Sequence, residues 1–85
     1  MNPLPQIVAL FDGEYKLLTN NILDHVGLAM KHAGFQLQTR DQAFKIVEYL
    51  AENRALDLIE TESKTFLIRK TYYGNETNQS SNPST

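Results

Sequence analysis

Eighty-five residues without a cysteine, eight Lys and Arg against ten Asp and Glu, give a small acidic chain with a formal net charge of −2. That composition excludes disulfides and thiolate metal sites, and it lacks the overall basic footprint that phosphate neutralisation asks of most nucleic-acid binders. A domain of this length buries only a modest share of its surface, so a single core, and association of two copies, both fit.

Asn2-Pro3 predicts a helix start, with Asn as N-cap and Pro at the first helical position, where its missing N–H is harmless. Leu4, Ile7, Val8, Leu10 and Phe11 make this first helix short and mostly apolar, and Asp12-Gly13 ends it. A strand through Ile7–Phe11 is the alternative that so short a run leaves open. With no basic stretch before it, the run is too short for a signal peptide or a membrane span, so a cytoplasmic protein is the expectation.

Glu14–Leu18 fits either a brief strand or a helical turn. Thr19, Asn20 and Asn21 are three candidate N-caps for a second helix, from about Asn21 to Ala33, marked by Ile22, Val26, Ala29, Met30 and Ala33 at helical spacing. Gly34 sits where a C′ glycine belongs. Gly27, inside that helix, either permits a close crossing or breaks it into the first half of a helix-turn-helix. The continuous helix is preferred, because a second piece starting at Ala29 meets Gly34 almost at once. Phe35-Gln36-Leu37-Gln38 then connects to the third helix.

That helix, Thr39–Asn53, carries the clearest local signals in the chain. Thr39 and Gln42 fit a capping box. Ala43, Val47, Leu50 and Arg54 follow one stripe, widened by Phe44, Ile46 and Ala51, and Asp41, Gln42, Lys45, Glu48 and Glu52 make the polar side. After Asn53 the period changes to two. ALDLIE and TFLIRK, joined by the polar Thr61-Glu62-Ser63-Lys64, predict an antiparallel hairpin. Tyr72, Tyr73 and Gly74 close the folded part. Asn75–Thr85 has no aliphatic or aromatic residue and is expected to be a disordered tail. Its two glycosylation sequons, at Asn75 and Asn78, are read as accidents of composition.

The order helix, link, helix, helix, hairpin resembles the winged-helix family. The likeness covers Pro3 to about Tyr73 and is carried by that order and by the passage FKIVEYLAENRALDLIETESKTFLIRK, where a helix runs directly into the strand that opens the wing. It implies an α+β domain over residues 1–74, three helices followed by a two-stranded antiparallel hairpin. The second helix is longer than the family's usual one, and the wing loop is acidic rather than basic. The family's usual docking implies double-stranded DNA as partner, with Arg40, Gln42, Lys45 and Tyr49 toward a major groove and Lys64, Arg69 and Lys70 along the backbone. A DNA-binding regulator is the first expectation. The alternative is an acidic winged-helix module for protein interaction or assembly, with Tyr49, Tyr72, Tyr73 and uncovered parts of the first helix as contact surface, and a homodimer among its forms. The bland alternative for each charged residue is a solvated face with i,i+4 pairing, such as Asp41 with Lys45.

Catalytic chemistry is not expected. His25 and His32 are seven apart, about 10 Å along a helix, too far to chelate one metal. The glycines at 13, 27, 34 and 74 are isolated, so no phosphate loop forms, and no pair of acids has a spacing that suggests acid–base work. Neither metal nor cofactor is expected.

Overall fold

A computed structural model describes residues 2–72, in the order α1 (Leu4–Ala9), β1 (Lys16–Leu17), α2 (Asn20–His32), α3 (Arg40–Glu52), β2 (Leu56–Glu60) and β3 (Phe66–Lys70). Three helices and a three-stranded antiparallel sheet of order β1-β3-β2 make an α+β fold. The expected two-stranded hairpin is thus one strand short. Lys16 and Leu17 pair with Ile68 and Leu67, taking the edge of β3 that the hairpin leaves free. The expected tail, Asn75–Thr85, and Tyr73 lie outside the described residues.

The local signals explain where each helix begins. α1 starts one residue later than the Asn-Pro pair suggests: Pro3 takes the N-cap position, and the Asn2 side chain accepts a hydrogen bond from Leu4 N at 3.1 Å. Of the three candidate caps for α2, Thr19 is the one used, its hydroxyl accepting from Ile22 N. The Thr39–Gln42 capping box forms in both directions at 3.1 and 2.9 Å.

Both long helices end in the same pattern. Gly34 N donates to Lys31 O and Phe35 N to Met30 O after α2, and Arg54 N donates to Ala51 O and Ala55 N to Leu50 O after α3. Each is a Schellman motif, which needs a left-handed residue at C′. Gly34 supplies it at φ 95°, and Arg54, not a glycine, is held at φ 64°. The stripe of α3 therefore stops at Leu50. Arg54 is exposed, a correction to its place at i+11, because the helix has already ended and the chain has reversed direction.

α2 is continuous through Gly27. A Cβ there would lie 2.8 Å from the backbone oxygen of Gln38, so the glycine exists to let the α2–α3 connection pass against the helix. Ile7, Phe11, Val26, Ala43, Val47, Leu50, Leu56 and Ile68 form the core, drawing on every element except the two-residue β1.

Strand alternation decides which hairpin residues face the helices. Leu56 and Ile68 are buried on the inner face, with Leu58 packed beside them. The outer face carries one apolar row, Leu17–Leu67–Ile59, set side by side by the register. The loop from Thr61 to Thr65 is a tight turn followed by a left-handed residue, Lys64 at φ 68°, closed by Thr61 N donating to Thr65 O.

Candidate interaction surface

The residues expected to touch DNA fall into four separate places. Arg40 heads α3, but its guanidinium already holds Asp24 of α2 through two hydrogen bonds of 2.9 Å each, Nε to Oδ1 and Nη2 to Oδ2. This fork-to-fork pairing holds the Asp24 carboxyl below its usual range and raises Arg40 further. Gln42 is committed to the capping box. Lys45 and Tyr49 are exposed on α3.

The hairpin cations are dispersed by the pleat. Lys64 is at the loop, with its ammonium 3.9 Å from Glu60. Arg69 is on the outer face of the sheet, opposite the side that packs against α3. Its guanidinium carbon sits 4.3 Å from the Tyr15 ring centroid and 5.8 Å from that of Tyr72. Its Nε lies 3.5 Å from Asp57 Oδ2, an ion-pair contact without hydrogen-bond alignment, and Asp57 also accepts from the Thr71 hydroxyl at 2.8 Å. Lys70 follows the inner-face alternation of Ile68, is half-buried, and pairs with Leu56.

One groove brings two of these residues together in different company. About 520 Å³ in volume, it runs between the start of α2, one side of α3 and the end of the sheet, lined by Leu18, Leu23, Phe44 and Phe66 with Arg40 and Lys45 on the rim. Phe44 and Phe66 meet there, ring centroids 5.1 Å apart and tilted by 58°. Asn20, Asp41 and Glu48 complete the rim. A second depression of about 290 Å³ lies further along α3 between Glu48, Ala51, Glu52 and Leu58.

Neither phenylalanine was singled out by the sequence: Phe44 reads as widening the core stripe and Phe66 as a strand former. The available signal was that Phe44 is displaced from Ala43–Val47–Leu50 toward the charged side. Among the described residues no cluster of three or more His, Asp or Glu could hold a metal ion, and no helix is long and apolar enough to cross a membrane.

The chain gives no significant match to protein-family models, to curated proteins or to solved structures.

Proposed function

We propose that this is a winged-helix arrangement used as a protein-docking module rather than as an enzyme. The element order α1-β1-α2-α3-β2-β3 and the sheet order β1-β3-β2 support the arrangement. The Phe44–Phe66 groove carries the docking role. Two aromatic rings at the meeting of α3 and the sheet offer a partner side chain an apolar seat. Phosphates would find little there, since one rim cation is neutralised by Asp24.

A photo-crosslinking amino acid replacing Lys45, on the groove rim, tests this in cells of the source organism. Identification by mass spectrometry of one protein captured from position 45, and not from exposed Lys31 on α2, is the expected outcome. Capture of nucleic acid alone would refute it.

Duplex DNA binding is the second reading. It is favoured by Lys45, which stands exposed with no ion pair among the described residues, on the helix that winged-helix docking places in a major groove. Fluorescence anisotropy on random duplex at about 50 mM salt, where non-specific affinity is strong, checks it. Binding that Lys45→Glu abolishes supports this reading, and no binding at that salt removes it.

A further inference from the structure

We infer that the groove is one end of a longer track on α3, and that its occupant is a cationic amphipathic segment of a partner protein. This rests on the docking role proposed above and specifies the partner's chemistry.

The two depressions beside α3 share Glu48. Phe44, Glu48 and Glu52 recur every four residues, so they line one side of the helix over about 12 Å at 1.5 Å per residue. Phe44 lies at one end, Ala51 and Glu52 at the other. The sheet supplies the opposite wall. Phe66 and Leu58 both alternate in phase with buried Ile68 and so face the helices. The floor is thus Phe44 and Phe66 passing to Ala51 and Leu58, two turns of helix set against two strands. That length suits a peptide segment better than a single small molecule.

The charges along the track select the segment. Asp41, Glu48 and Glu52 are exposed along α3, and Glu60 is exposed on β2 across from Phe66. Against them stands Lys45, with Lys64 beside Glu60, while Arg40 is taken up by Asp24. An apolar floor with an acidic margin is complementary to a segment with bulky apolar residues on one side and Lys or Arg on the other. The same margin disfavours the other occupants: a second copy of this chain brings a net charge of −2, and DNA or an anionic membrane brings phosphates.

The test is an NMR titration of the isotope-labelled full chain with two synthetic amphipathic peptides of about four helical turns. One carries Leu and Lys, the other Leu and Glu in the same pattern. The Lys peptide is expected to bind at least about tenfold more tightly, to weaken with salt, and to shift the amides of Phe44, Glu48, Ala51, Leu58 and Phe66. The double variant Glu48→Lys, Glu52→Lys, both exposed and outside the core, is expected to reverse the order of the two peptides. Equal affinities would overturn the inference, as would no binding, or shifts confined to the Leu17–Leu67–Ile59 row. It also fails if Phe44 shifts with protein concentration alone, or if duplex DNA titrates the same amides in place of the Lys peptide. A protein captured from position 45 through an acidic or neutral segment would keep the docking role and overturn this inference alone.

Discussion

Two arginine–aspartate pairs join parts of this molecule that are distant in sequence, and they are built in opposite ways. Arg40–Asp24 bridges α3 to α2 with short, well-aligned bonds, yet its side chains are 54% and 48% exposed. Arg69–Asp57 ties β3 to β2 with a longer and poorly aligned contact, but its side chains are 32% and 22% exposed and the guanidinium is stacked on Tyr15. Good geometry in water competes with solvent and salt, whereas a looser contact under aromatic cover also contributes packing. The Arg40–Asp24 pair therefore adds little to a helix–helix joint made by packing and by the close approach at Gly27, whereas Arg69 adds packing to a sheet joint already made by the β2–β3 ladder.

The sharpest way to break that contrast is Gly27→Ala. It drives a methyl into the Gln38 carbonyl at the α2–α3 crossing, and a loss of about 2–3 kcal/mol is expected in urea denaturation, in the range for overpacking. Arg69→Ala follows, with a loss of about 1–2 kcal/mol from lost stacking and an unpaired Asp57. Arg69→Lys restores the charge but not the planar stacking, so it should recover only part of that loss. Smaller again, and of opposite sign, is Arg54→Gly, which relieves a side chain from the left-handed region and should add about 0.5–1 kcal/mol, while Gly34→Ala at the matching position of α2 removes a similar amount. A loss of stability in Arg54→Gly, in place of the gain, would mean that Arg54 makes compensating contacts.

Least effect of all is expected from Asp24→Asn, and it should be seen only through pH. The Arg40 hydrogen bond lowers the Asp24 pKa in the folded chain relative to its ordinary 3.8. The stabilisation is therefore complete above that ordinary value and fades as the pH falls through the lower folded one. Melting curves taken from about pH 5 down to about pH 2 should show a slightly shallower acid loss for Asp24→Asn than for the parent, a difference that added salt removes.

Legibility from sequence followed the range of each interaction. The capping box at Thr39, the glycine after α2 and the continuous α2 through Gly27 were readable because the partners lie within a few residues or because one residue type is demanded. β1 is undecided between strand and turn in the sequence, since two residues become a strand only when β3 offers a free edge some fifty positions later. Arg54 falls on the apolar stripe by spacing but lies past the helix end, because helical spacing does not register where a helix stops. The candidate surface was the least legible part. Arg40 and Asp24 are 16 positions apart with nothing local to pair them, and a basic residue looks the same in sequence whether it is free, paired or stacked. The Phe44–Phe66 groove needs a helix and a strand brought together before either ring can be counted as surface.

The Tyr72 hydroxyl accepts from Gly13 N at 2.6 Å and lies 2.9 Å from Asp12 Oδ1 as a donor, while Lys70 N donates to Phe11 O at 2.7 Å. These bonds span about sixty residues and fasten the end of β3 to the turn after α1. The turn after α1 and the end of β3 are therefore expected to open together, as one cooperative unit. In native-state hydrogen exchange the amides of Gly13 and Lys70 should open with a common free energy, and Tyr72→Phe should lower both together.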